Sequence, residues 1–487
     1  MKYNENVYYT TLKLIMLKAA SEVMPGVNVE IRHTVNRSLY CELKRGECIT
    51  EEEIKKLRDK MTEIIKADYL INLNTANVED IRRKESHIHR EDIVRFINST
   101  GWIPIREYEV NGYVDYFYEK VYPSTGAIYL FDVEKYAYGF IVKYPTSEDV
   151  NSLHEVFPMP KLTEVQRDCK RWEERMDVSY IGSLNEKSLS GKVIDLIRIN
   201  ETVHEVKLGK IAGQISENSK IKVVTVAGPS SSGKTTFSKR LELYLQANGI
   251  FPIVISLDNY YIGRVNIPLD ENGEKDYESI EGLDLNLLNE NLLGLVSGKE
   301  VEIPEYDFIS GERKKVGKLL KLHKKGVVIL EGIHGLNDRL TSIIPKENKF
   351  KIYVSCLTQL NIDMHNRIPT NGVRKIRRIV RDSLSRGTSA EKTLDMWDSV
   401  RRGEEKNIFK FQEEADVMFD SNLVYELAVL KPFAMKELIK IGIDSPHYEE
   451  AKRLMRFLYC FVDIDDKYVP DISILKEFIG GSYFYGY

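Results

Sequence analysis

Cysteine is sparse in this 487-residue sequence, and its five copies, Cys41, Cys48, Cys169, Cys356 and Cys460, include no C-x-x-C pair. That spacing argues against both a disulfide framework and a zinc site, and buried thiols are the plain expectation. Long apolar runs are also missing, so no segment is expected to cross a bilayer. The stretch MKYNENVYYTTLKLIMLKAA is apolar in part, but Lys13 and Lys18 interrupt it and no small-residue cleavage site comes after it. It reads as a buried helix of a cytoplasmic protein. A surplus of positive charge is absent too: 70 Lys+Arg against 74 Asp+Glu leave a net charge of −4. Nothing global attracts a polyanion, and nucleic acid is not an expected partner without a local patch.

The chain is too long for one ordinary core, and two or three domains are expected. Residues 1–145 mix a helix, aromatic-rich strands and a charged amphipathic helix, ending at the strand-like GFIVKYP, and read as one α+β domain. Residues 146–219 are first polar and broken by Pro158 and Pro160, then helix-like, and read as a connector whose second half packs on the domain C-terminal to it. From 220 to 431, short apolar runs (KVVTVAG, FPIVISLD, GVVILEG, FKIYVSC) alternate with helical patterns. That alternation predicts an α/β fold with a parallel sheet covered by helices on both faces. Residues 432–487 form a helical tail expected to pack on the rest.

The run Gly228-Pro229-Ser230-Ser231-Ser232-Gly233-Lys234-Thr235 fits G-x-x-x-x-G-K-[ST] between a strand and a helix, and Thr236 is the next residue. Its glycines allow backbone N–H groups to turn inward on phosphate oxygens, and the helix N-terminus adds partial positive charge. Lys234 is expected at the β/γ-phosphates of ATP and Thr235 on Mg²⁺. The alternative, a chance glycine-rich turn, does not account for strand, loop and helix occurring together. The motif specifies a nucleoside triphosphate and leaves the reaction open.

FPIVISLD ends in Asp258, at the edge of the sheet where ligands of open α/β folds bind. An alcohol kinase needs a base beside its nucleophilic oxygen, and Asp258 is the candidate; a helix N-cap or a Mg²⁺ ligand is the other reading. Glu331 ends GVVILEG, where it orients metal-bound water or caps the strand.

In order along the chain, GPSSSGKTT, SLDNYY, DYESIEGLDLNLL, IPEYDFISGERK, VVILEGIHGL and IRRIVRDSLSRG resemble the motifs of the uridine kinase and phosphoribulokinase family of P-loop kinases. The resemblance implies transfer of the ATP γ-phosphate to the 5′-hydroxyl of a nucleoside such as uridine or cytidine. It assigns Asp258 as catalytic base, Tyr261 and Tyr277 to the nucleoside pocket, Tyr306 and Phe308 to framing the base, and Arg313 to closing that motif. Stacking aromatics suit a flat heterocycle. Two positions depart from the pattern: Gly311 stands where uridine and cytidine kinases carry a base-reading histidine, and Glu278-Ser279-Ile280 stands for their Asp-His-Pro. Both changes bear on which acceptor is taken, and a sugar phosphate or another small alcohol is the second enzymatic reading.

Six arginines lie between Arg367 and Arg386, and Arg374, Arg377, Arg378 and Arg381 share one helical face opposite Ile376, Ile379 and Val380. The resemblance implies a lid that neutralises the transferring phosphoryl group, with Arg378 and Arg381 nearest the chemistry. A solvated helix face and an RNA-binding stripe are the other readings, and a nucleotide-gated RNA-binding regulator is the non-enzymatic one.

VYYTTLKLIMLKAASEVMP and ITEEEIKKLRDKMTEIIKADYLI resemble the editing domain of threonyl-tRNA synthetases, which extends the likeness over about the first 145 residues. The histidine pair that such domains place on their first helix is replaced here by tyrosines and threonines, and His87 and His89 lie in a charged run read as a solvated helix. The hydrolytic site is therefore not expected, which leaves ligand sensing, binding of RNA ends or self-association as roles for this domain. Every phosphate-handling motif falls within 220–431, so a piece beginning near Lys161 is expected to carry phosphotransfer by itself.

Overall fold

The computed structural model describes residues 3–74, 78, 79, 81, 90–101, 106–269, 273, 275–307, 311–358 and 360–486. None of its helices is long and apolar enough to cross a membrane among these residues. Helix α1 (Glu5–Val23) starts where the Asn4 side chain accepts the Val7 N–H, and it is buried almost throughout. It lies against an antiparallel sheet in the order β1 (Val29–Val35), β2 (Ser38–Leu43), β7 (Gly139–Lys143) and β6 (Asp132–Tyr136). Helix α2 (Glu51–Ala67) opens with a reciprocal capping box between Thr50 and Glu53 and buries the stripe Ile54, Leu57, Met61 and Ile64. A smaller antiparallel sheet joins β3 (Ile71–Asn74), β4 (Arg106–Val110) and β5 (Tyr113–Phe117), with α3 (Glu91–Thr100) between its first two strands in sequence.

Residues beyond 146 are polar and irregular until Pro160, which begins α4 (Pro160–Met176) at a position where a missing N–H costs nothing. Helices α5 (Ile181–Leu189) and α6 (Val193–Glu217) come next. Leu208, Ile211 and Ile215 of α6 share one core with Phe237, Leu241 and Leu245 of α7 (Lys234–Ala247).

The second sheet is parallel throughout, in the order β16 (Val417–Asp420), β15 (Lys349–Ser355), β8 (Val223–Ala227), β14 (Val328–Glu331) and β9 (Ile253–Ser256). Helices on both sides bury β8 and β14 completely, which is why these strands read as unbroken apolar runs. Glu331 pairs in register with both Val226 and Ser256, so the segments after β8, β14 and β9 emerge together at one edge. Between β9 and β14 lie α8 (Leu285–Val296) and two small ribbons, β10 (Glu300–Ile303) with β13 (Lys318–Lys321) and β11 (Tyr306–Asp307) with β12 (Glu312–Arg313). After β15 come α9 (Thr370–Ser385), α10 (Ala390–Asp395) and α11 (Trp397–Asn407). Beyond β16, α12 (Glu426–Leu438) runs through position 431 with Pro432 inside it, and α13 (Tyr448–Leu458) and α14 (Lys476–Ile479) are the last helices.

The segment 356–369, which leads from β15 to α9, is held by the N-terminal half. The Ile31 N–H of β1 donates to the Met364 carbonyl at 3.0 Å, and Asn361 Nδ2 donates to the Ile31 carbonyl at 2.9 Å. Beside them Arg90 pairs with Asp92 at 3.0 Å and Asp363 at 3.4 Å, while His365 Nδ1 meets Asp115 at 2.7 Å. All five side chains are buried. Burial pushes the Asp363 carboxyl up against the pull of Arg90. Such a cluster adds little net stability when complete, but it is costly to break because a buried charge is then left alone.

Candidate active site

The loop after β8 needs its glycines for steric reasons. A Cβ on Gly228 would lie 1.9 Å from the Val354 carbonyl oxygen of the neighbouring strand, and Gly233 has φ +82° immediately before α7. Ser231 takes φ +58°, an uncommon conformation for a residue with a Cβ. Lys234 begins α7 and folds back so that Nζ donates to the Pro229 carbonyl at 3.3 Å. Thr235 is exposed and its hydroxyl bonds Glu331, whereas Thr236 is buried.

Three carboxyl groups fall within the electrostatic reach of Lys234. Asp258 comes after β9 in a tight turn in which the Ser256 hydroxyl accepts its N–H at 3.3 Å. Burial holds the Asp258 carboxyl above its ordinary range, opposed by Lys234, Arg386 and Arg381. Glu331 is pushed up to about 7, by burial first and by Asp258 and Glu477 after it, against Lys234. Glu278 is likewise pushed up to about 7 by burial and by Glu404, against Arg378 and Lys234. Lys234 is thus the cation that Asp258, Glu331 and Glu278 share.

Helix α9 carries the arginines, and its face is divided. Arg374 and Arg377 are fully buried. Arg374 bonds both oxygens of Glu404 and the Ser230 carbonyl, and Arg377 Nε bonds Glu426 at 3.0 Å while its NH1 reaches the Ser231 carbonyl at 3.3 Å. Those two brace the phosphate loop from outside. Arg378 donates to the Ser230 hydroxyl at 2.9 Å and pairs with Asp382 at 3.2 Å, and Arg381 pairs with Asp382 at 2.7 Å. With Arg386, Arg378 and Arg381 act electrostatically on Glu278 and Asp258, so the accessible positive charge faces those carboxylates.

Beyond Asp258, Tyr261 donates to the Tyr277 carbonyl at 2.9 Å, and its ring stands 5.8 Å from that of Tyr306. Tyr277 is 48 % exposed. Arg313 is engaged within the protein: Nε and NH2 donate to the carbonyls of Tyr261 and Tyr260 at 2.9 and 2.8 Å, and NH1 to Asp284 at 3.1 Å. It shapes the tyrosine wall from behind. Gly311 has φ +75° and accepts the Tyr306 hydroxyl at its carbonyl, so a side chain at this position would be strained. Phe308 lies outside the described residues, as do His87 and His89.

The chemistry these groups can perform is phosphoryl transfer to a hydroxyl. A cradle of N–H groups and one lysine suits phosphate oxygens, and a half-buried carboxyl after β9, at the same edge of the sheet, suits a proton acceptor. No group of three or more His, Cys, Asp and Glu is assembled for a metal ion among the described residues. The Thr235 hydroxyl and the Glu331 and Asp258 carboxylates are nonetheless hard oxygen donors of the kind Mg²⁺ takes alongside phosphates and water. Sequence reading did not assign Glu278 a role and did not single out Glu404 or Glu477. Their neighbours VRRGEEKN and ILKEFIGG contain no spacing that ties them to a loop many residues away.

Residues 223–427 match the model of the phosphoribulokinase/uridine kinase family. Uridine kinases of Staphylococcus aureus strains JH9 and Newman are 31 % identical over 180 residues, which cover 37 % of this chain and 77 % of theirs. The chain belongs to this family. Among solved structures it is similar to one described as a possible uridine kinase from Bacillus stearothermophilus, with 20 % identity, TM-score 0.28, and coverage of 41 % of this chain and 89 % of that one. A D-glycerate 3-kinase from Cryptococcus neoformans gives 15 % identity, TM-score 0.23 and coverage of 56 % and 88 %. As a family member the chain has a P-loop kinase sheet, extended at its N-terminus by the antiparallel α+β part and at its C-terminus by α12–α14.

Proposed function

We propose that this family member is a Mg·ATP-dependent kinase that transfers the γ-phosphoryl group to the 5′-hydroxyl of a nucleoside of the uridine or cytidine kind. The observation that supports it most is the position of Asp258, at the same sheet edge as the phosphate loop with β14 between, and within the electrostatic reach of Lys234. Asp258 accepts the proton of the attacking hydroxyl, and its raised carboxyl makes it a stronger base than a solvated aspartate. Lys234 and the amides at the start of α7 hold the β- and γ-phosphates, and Arg378 and Arg381 offset the charge that spreads over the transferred group. Thr235 and Glu331 would hold Mg²⁺, which when bound would neutralise phosphate charge. The tyrosines 261, 277 and 306 supply faces for a flat base, and Glu278 is an acceptor for sugar hydroxyls beside Asp258.

A second reading, another small alcohol such as a sugar phosphate, is favoured by the Gly311 turn, which offers no side chain to read a base edge. Assaying ADP release over a panel of nucleosides, sugar phosphates and other small alcohols separates the two. Turnover with nucleosides supports the first, and turnover confined to non-nucleoside alcohols replaces it with the second.

A further inference from the structure

Helix α7 begins with backbone N–H groups that have no partner inside the helix, and a nucleotide-binding loop uses these same groups for phosphate oxygens. In this chain one of them is taken. Glu477 of α14 accepts both the Thr236 N–H at 3.1 Å and the Thr236 hydroxyl at 2.7 Å, across 241 positions of sequence. Tyr485 Oη lies 3.4 Å from the same hydroxyl.

The segment that delivers this carboxylate is firmly seated. Ile474, Leu475 and Phe478 are completely buried in the core shared with the parallel sheet. Ile474 lies against Gly233, where a Cβ would come within 2.5 Å of its Cγ2, and the Arg377 guanidinium stands 5.0 Å over the Phe478 ring. The tail is therefore part of the wall of the phosphate loop. Gly480 and Gly481 come after α14 with φ +82° and +70°, conformations open to glycine but strained for other residues.

Glu477 itself is an unusual choice for a permanent cap. It is 5 % exposed and has no ion-pair partner among the described residues. A neutral Asn or Ser would cap the helix without burying an unpaired carboxylate. An anionic cap becomes intelligible if it holds the place of another anion.

We infer that Glu477 competes with a nucleotide phosphate for the Thr236 N–H and hydroxyl, so that the C-terminal tail is a built-in antagonist of nucleotide binding, released when the carboxylate turns away. The inference rests on the reading of residues 228–236 as the nucleotide site. One N–H cannot serve a phosphate oxygen and Glu477 together, and the two negative groups repel at that distance. The core residues on either side of Glu477 keep the tail in place, so the release is a movement of one side chain and of the glycine-flanked end beyond it.

The test uses the full chain and a non-hydrolysable ATP analogue with Mg²⁺, its affinity measured by calorimetry for wild type, Glu477→Gln and Lys234→Ala. Glu477→Gln is expected to tighten binding about tenfold or more, the effect of removing one close like charge. Unchanged or weaker binding by a folded Glu477→Gln would overturn the inference and make Glu477 a static cap. Failure of both wild type and a folded Glu477→Gln to bind the analogue would instead sink the nucleotide-site reading, and Lys234→Ala gives the reference for that loss. Hydrogen exchange on wild type keeps the test independent of the variant. The analogue should speed exchange in residues 480–486, and slowed or unchanged exchange there would count against release.

Discussion

Arg374 clasps both carboxylate oxygens of Glu404, and Glu404 in turn accepts the backbone N–H of Ser230 at 2.8 Å. Both side chains of the pair are about 1 % exposed, so α9, α11 and the first half of the phosphate loop are joined by one buried ion pair. Arginine suits this place because its planar fork matches two oxygens at once.

Removing one member of that pair strands the other charge in the interior. Glu404→Ala is expected to lower stability by about 3–5 kcal/mol, and Arg374→Met by a similar amount. Arg381→Met, at a partly accessible position paired with Asp382, should cost far less. Urea unfolding of the three variants checks the ranking.

Asp258→Asn should leave binding of the ATP analogue intact and lower kcat by about 10²–10⁴, the usual contribution of a positioned general base. Lys234→Ala should reduce both binding and turnover, since the proposed reaction places Lys234 on the phosphates. Steady-state kinetics alongside calorimetry distinguish the two patterns.

Much of this arrangement was legible in the sequence, and the reason is local. Strand, glycine loop, lysine and helix are adjacent in the chain, so Gly228 to Thr236 announce their chemistry by spacing alone, and the four apolar runs correspond to four of the five parallel strands. The fifth, β16, is Val417–Asp420, where only Val417, Met418 and Phe419 are apolar between Asp416 and Asp420, so it shows no apolar run like those of the other four. The arginine face was legible as a stripe, but periodicity cannot separate Arg374 and Arg377, which meet buried glutamates, from Arg378 and Arg381, which meet the site. That division depends on Glu404 and Glu426, placed by tertiary packing. Glu477 was hidden for the same reason.

The pH dependence of stability should show Glu331. Its folded carboxyl titrates near 7 against an ordinary 4.5. The folded protein therefore keeps a proton that the unfolded chain has lost, and the stability this confers is full below pH 4.5 and disappears as pH rises through 7. The loss amounts to about 3 kcal/mol. Glu331→Gln cannot titrate, so its stability relative to wild type should improve from pH 5 to pH 8. Denaturant melts at both pH values measure it.

The Gly311 turn predicts weak discrimination between close pyrimidines. The ratio of kcat/KM for uridine over cytidine should stay below about 10³, because a larger ratio needs dedicated hydrogen-bonding groups. Gly311→Ala should also destabilise the ribbon by about 1–2 kcal/mol, the penalty for a side chain at positive φ.

The buried seam changes what a piece beginning at Lys161 should do. It loses Arg90 and Asp115, leaving Asp363 and His365 without the partners that fix the segment entering α9. We expect such a piece to bind the ATP analogue but to melt at lower temperature and to turn over more slowly than the full chain. Arg90→Ala in the full chain should reproduce the stability loss, at about 3–5 kcal/mol. Thermal melts of both proteins, with kinetics on the piece, check this.

The central claim is that Asp258 takes the proton from a nucleoside 5′-hydroxyl while the loop at 228–236 delivers a phosphoryl group. It is tested most directly by incubating wild type and Asp258→Asn with Mg·ATP and uridine or cytidine, then identifying the phosphorylated product by ³¹P NMR. The account predicts the nucleoside 5′-monophosphate from wild type, formed at least about a hundredfold more slowly by the variant. Release of ADP without a nucleoside monophosphate, or a variant that keeps within a few-fold of the wild-type rate, would contradict it.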